Sequence, residues 1–191
     1  MPKLALFFGI NDRLGAEINL PFIYHQGEET EGYDVGALAG SFTYMLVKPS
    51  STWPVLAVGA EFGFPTGGTL EGPAERSYEV SPFLAYLQDF GLMILQGRVG
   101  WSLELPQEED KNPQDFTYGW AAAFPIWNKR AYIMTEINGA AGLNHPGNPI
   151  SFAPGFKYYL TEELFVAMAV PIGLTQSAAD YGITAQVQIR F

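Results

Sequence analysis

Few side chains in this sequence have the chemistry to build a reactive site, and they are scattered. The 191-residue chain has two histidines, His25 and His145, ten lysines and arginines, 20 carboxylates and no cysteine. A Ser–His–Asp arrangement needs a histidine held between a nucleophile and a carboxylate. His25 and His145 both lie next to long loops, with no second histidine and no spaced carboxylates beside them. The HExxH and CxxC spacings of zinc sites are absent. The stretch GGTLEG is glycine-rich, but no helix follows it to present amides to a phosphate. No catalytic residue, no metal and no cofactor is therefore expected, and the chain does not read as an enzyme. What remains is a set of single charges among small residues: Glu17, Glu61, Arg98, Glu104, Glu136, Lys157 and Arg190. Facing one another across a central space, they would make ion pairs that fill a narrow interior, or a polar constriction that selects what passes. Such a pair says little about stability, because desolvation offsets attraction.

The elements that must position these charges are strands. In the last stretch, YGITAQVQIRF, every second residue from Tyr181 to Phe191 is apolar, with Gly182, Thr184, Gln186, Gln188 and Arg190 between. A strand turns alternate side chains to opposite faces. The same alternation recurs from Lys3 to the Asn11-Asp12-Arg13 turn and over Leu14–Tyr24, Val35–Leu46, Pro54–Phe64, Tyr78–Leu87 (where it is blurred) and Leu92–Leu105. It continues over Phe116–Ile126, Arg130–Ala140, Ile150–Leu160 and Leu164–Leu174. That gives eleven strands of about ten residues, the length that crosses a tilted bilayer path. Short turns and long loops alternate strictly, as in an up-and-down barrel. One face carries the bulky apolar residues; the other is mostly Gly, Ala, Ser and Thr plus the charges above. Bulky residues outside against lipid and small or ionisable ones inside fit a membrane barrel better than a soluble one. The sheet must close, since each unpaired backbone group in lipid costs several kcal/mol. Trp53 and Trp127 stand beside short turns, where an interfacial aromatic belt is expected.

Composition sets the outer bounds. No apolar run approaches the roughly 20 residues of a spanning helix. A net charge of −10 disfavours nucleic acid as a partner, and none is expected. Twelve of the 20 carboxylates fall in 26–34, 65–79, 105–115 and 175–180, all connections on the long-loop side. Solvated loops explain this; shared on one side of the molecule, they could also bind divalent cations. The expected architecture is thus all-β: one domain over residues 1–191, an antiparallel up-and-down transmembrane β-barrel with eleven strands visible. Even strand counts are the rule for bacterial barrels. The first strand enters from the long-loop side, so twelve strands, with one strand and a signal peptide upstream, are expected in the full-length protein. The competing reading takes MPKLALFFGI as the signal peptide, leaving ten strands; against it, its apolar core is short and Asp12 and Arg13 sit where a cleavage site should be.

Three segments, FFGINDRLGAEINLPF, WPVLAVGAEFGFPTGG and APGFKYYLTEELFVAMAVPIGLT, resemble the outer-membrane proteins of the MetA-pathway of phenol degradation family. Pro65-Thr66-Gly67 and Pro154-Gly155 fall where that family's pattern has them, whereas Gly32-Tyr33-Asp34 carries one residue inserted into its usual Gly-Asp. The resemblance implies a twelve-stranded barrel of the bacterial outer membrane that passes small, often aromatic, molecules, and it brings no binding residues to carry over. The functional expectation is a channel or transporter for small, apolar or aromatic solutes, bathed in outer-membrane lipid and delivered to the barrel-assembly machinery through Phe191. Two alternatives stand beside it: a non-conducting surface barrel acting through its acidic loops, and a soluble calycin-like carrier with its apolar residues inside.

Overall fold

The computed structural model describes residues 3–26, 31–35, 37–50, 53–66, 77–106 and 112–189. Those residues form strands and connections, with no helix among them. The strands are β1 (Lys3–Gly9), β2 (Leu14–Gln26), β3 (Glu31–Val35), β4 (Leu38–Val47), β5 (Val55–Phe64), β6 (Ser77–Asp89) and β7 (Ile94–Pro106). They continue with β8 (Gln114–Ile126), β9 (Ala131–Gly142), β10 (Ile150–Tyr159), β11 (Leu164–Ala169), β12 (Ile172–Gly173) and β13 (Thr184–Ile189). Eleven of them follow one another in an unbroken antiparallel order, β1-β2-β4-β5-β6-β7-β8-β9-β10-β11-β13, and curl into a nearly closed barrel. Because each step reverses direction, β1 and β13 run the same way and do not pair with each other. An all-antiparallel ring takes one more strand between them.

Two connections differ from the sequence expectation. The acidic stretch after β2 is not all loop: β3 pairs back onto the extended end of β2, from Phe22↔Val35 to Gln26↔Glu31. The strand expected over Leu164–Leu174 is interrupted at Pro171, which has no N–H to give. The register survives the break. β12 continues along β10 with Ser151↔Gly173 in step with Gly155↔Ala169, and Tyr181 meets Ile172 in step with the β11–β13 ladder.

The five short turns are each closed by local chemistry. Asn11 Oδ1 accepts the Arg13 and Leu14 amides at 2.9 Å each, and Thr161 Oγ1 accepts those of Glu163 and Leu164. Asp89 Oδ1 accepts the Gly91 amide at 2.7 Å, and Ser50 Oγ accepts that of Trp53 at 2.8 Å. Between β8 and β9 the chain turns through three consecutive left-handed residues, Trp127, Asn128 and Lys129. Side-chain acceptors of this kind replace the ladder bonds that a tight reversal forfeits.

No apolar core holds the sheet together. Among the described residues the buried hydrophobic side chains are Ala57, Ala131 and Phe165. Phe42, Val58, Leu84, Trp120, Phe124, Phe156 and Val187 all point outward, and Val187 is 68% exposed. The soluble-carrier alternative required such residues inside, and this orientation overturns it. Trp53 and Trp127 stand exposed at the short-turn end, and Trp127 meets Phe156 and Tyr158 edge-on at 6.2 and 6.4 Å.

Candidate functional site: the lumen

Register places the inward side chains in rows across the strands. Glu17 lies opposite Ser41, Ser41 opposite Glu61, and Glu61 opposite Ser81. On the next strands Ser102 lies opposite Asp115, and Asp115 opposite Gly142. A second row runs Ala57, Ala85, Arg98, Gly119, Asn138 and Ser151. These faces bound a cavity of about 600 Å³ between β5 and β9, with Glu61, Glu79, Arg98, Glu136 and Asn138 among its polar groups. Arg98 and Glu61, two strands apart, reach across β6 and pair at 2.7 Å. Asn138 Nδ2 donates to Glu136 Oε1 at 2.6 Å.

The other expected residues fall elsewhere on the same face. Glu104 lies opposite Glu79 near the long-loop end. The Glu79 carboxylate accepts hydroxyls from Ser81 at 2.6 Å and Ser102 at 2.8 Å, both buried. Lys157 lies opposite Tyr132 and Ala167, toward the short-turn end. Glu17 lies in the same row as Glu61, two strands away across β4. Arg190 and Phe191 lie outside the described residues, as do most of the acidic-loop carboxylates. Among the described residues no group of three or more His, Asp or Glu side chains is placed to hold a metal ion.

One expectation fails. The inward face is not uniformly small or ionisable. Arg98 lies 3.9 Å from the ring centre of Phe83, and Lys157 lies 3.7 Å from that of Phe165 and 4.9 Å from that of Tyr159. Tyr132 meets Tyr159 edge-on at 6.0 Å and Tyr159 meets Phe165 tilted at 5.5 Å, and Phe165 is buried. These rings narrow the short-turn half, where desolvated cations gain from aromatic faces. Parity carried the signal: Tyr159 is two residues from Lys157, and Phe83 is two from Ser81.

At the other end two long loops fold toward the lumen. Gly142 and Gly173 occupy inward positions in the rows above. A side chain at Gly142 would collide with the carbonyl of His145, and one at Gly173 with the carbonyl of Ala179. Glycine is thus required where each loop crosses back over its strand. The 174–180 loop is tied down by Gly173 N–H to Asp180 O at 3.0 Å and by Thr175 Oγ1, which accepts the Ile150 amide at 3.0 Å. In the 143–149 loop, Asn144 accepts the Gln114 amide at 2.9 Å and donates to Asn112 O at 2.7 Å. His145 Nε2 lies 3.3 Å from Asp115 Oδ2, and Nδ1 lies 3.2 Å from Pro146 O. Two acceptors for two ring nitrogens favour the doubly protonated ring. The Pro146 carbonyl raises the His145 pKa above its ordinary value; desolvation opposes it, and Asp115 and then Glu104 add further raising effects.

The chain is similar in fold to a solved structure titled the COG4313 outer membrane channel from Pseudomonas putida F1: TM-score 0.67 at 12% identity, covering 98% of this chain and 79% of that one. The barrel architecture is common to both. No family model matches the chain, and no curated protein matches it. The resemblance to the MetA-pathway family therefore stays a likeness of short segments.

Proposed function

We propose that this chain is a barrel of the bacterial outer membrane that passes small solutes through a narrow, partly filled lumen. One observation carries the reading: the large apolar side chains face outward around a charge-bearing cavity, and among the described residues only Ala57, Ala131 and Phe165 are buried apolar side chains. Water cannot solvate that exterior, and lipid can. The shared fold with an outer membrane channel supports the same reading. The channel has no catalytic step; its residues position charge. Lipid is the partner of the outer face. The solutes are small, with an apolar or aromatic body, in keeping with the aromatic rings at the short-turn end and the MetA-like segments. The test is planar-bilayer recording and liposome swelling on the full-length protein. A small, steady conductance that changes in Glu61→Ala and Arg98→Ala is expected. A folded barrel that leaves the bilayer closed under all conditions would favour a surface protein acting through its acidic loops.

A further inference from the structure

We propose that the His145–Asp115 contact is a pH-sensitive latch that holds the 143–149 loop over the long-loop mouth of the lumen. The inference rests on the channel reading above for its consequence, but its geometry stands apart from it. The loop turns back on the lumen side of β9, where Gly142 leaves room for the His145 carbonyl. Asn144 fixes the loop's base to Gln114 and Asn112. The imidazole then reaches β8, where Asp115 is the sole side-chain partner it contacts among the described residues. Among the described residues the charged groups that face the ring are Asp115 on β8 and Glu104 on β7. Glu79 on β6 stands one strand further, opposite Glu104.

With the ring doubly protonated, Nδ1–H donates to Pro146 O and Nε2–H to Asp115, and the positive charge offsets the acid around it. The neutral ring keeps a single N–H, so one of the two bonds is lost and Asp115 and Glu104 are left facing without a counter-charge. The sign follows from a raised value in the latched state. The latch is fully made below histidine's ordinary range, near pH 6.5, and is lost as pH climbs through the higher value of the bound ring. Both partners are partly exposed, 34% and 19%, so the latched fraction should change by about two- to fivefold rather than by orders of magnitude.

The chain has no cysteine, so a single Asn148→Cys carries a spin label on the loop without competing thiols. Labelled protein in lipid vesicles is titrated from about pH 5.5 to about pH 8.5, across histidine's ordinary range. The same range is recorded in planar bilayers, for the parent chain and for His145→Gln. The latch predicts that label mobility and conductance rise together with one histidine-like midpoint, and that His145→Gln is mobile and conducting at every pH. A label that steps with pH in a barrel that never conducts would sustain the latch and remove the channel. A label indifferent to pH, or one that still steps in His145→Gln, would overturn the latch whatever the conductance does.

Discussion

At the scale of single residues, the described part of the lumen is organised by what Arg98 and Lys157 touch. Arg98 is held between the Glu61 carboxylate at 2.7 Å and the Phe83 ring at 3.9 Å. Its side chain and that of Glu61 are 45% and 35% exposed, so the pair contributes about 0–1 kcal/mol to stability. Its weight lies in the field and the free width of the cavity. Arg98→Ala is therefore expected to leave the urea unfolding midpoint nearly unchanged, by less than about 1 kcal/mol, while conductance rises. Glu61→Ala leaves the guanidinium unpaired over Phe83 and should lower cation flux. Paired urea titrations and single-channel recordings check both. If Arg98→Ala unfolds the barrel, the pair is a structural clamp and the constriction argument fails.

At the scale of elements, period-two alternation is enough to specify most strands, because one face meets lipid and the other a polar space, so parity cannot slip without moving every large side chain inward. That is why β5, β7, β8 and β10 were legible residue by residue. The alternation blurred where an inward position is also bulky, as at Phe83 on β6. It could not show β3, whose pairing onto β2 extends an acidic stretch with no apolar face of its own. The break at Pro171 could be placed from the missing N–H, but the inward fold of the loops could not, since backbone approach at Gly142 and Gly173 leaves no mark beyond a glycine. Gly173→Val tests that approach. A branched side chain there must displace the Ala179 carbonyl, at about 1–3 kcal/mol. The 174–180 loop is expected to become sensitive to external protease and the conductance to rise, with the strands intact. At the opposite end, Thr161→Ala removes the acceptor for two turn amides and should cost about 1 kcal/mol in a reversible urea titration.

At the scale of the whole molecule, the barrel sorts its chemistry between two solvents. Leu84 sits near the middle of β6 and faces outward, 45% exposed, so Leu84→Arg should cost about 2–4 kcal/mol when measured in lipid. The inner surface is the wet counterpart, and its charge is unbalanced. Along β4 to β11, aside from Asp89, which pairs with Lys129 at its turn, the inward acids are Glu61, Glu79, Glu104, Asp115 and Glu136, against Arg98 and Lys157. Arg98 is already taken by Glu61, and Lys157 is covered by the Phe165 and Tyr159 rings. Glu79 and Glu104 stand opposite each other near the mouth. A narrow lumen walled by low-dielectric material concentrates such a field, so cations should be enriched inside it. Under a salt gradient near 0.1 M the reversal potential is expected to carry the sign of cation preference. At about 1 M, where screening shrinks to roughly 3 Å, the preference should largely disappear. Glu79→Gln with Glu104→Gln should reduce it at low salt while leaving the Arg98–Glu61 constriction in place. An anion-preferring potential at low salt would mean that Arg98 and Lys157 govern the path, and that permeating ions never meet the acidic mouth.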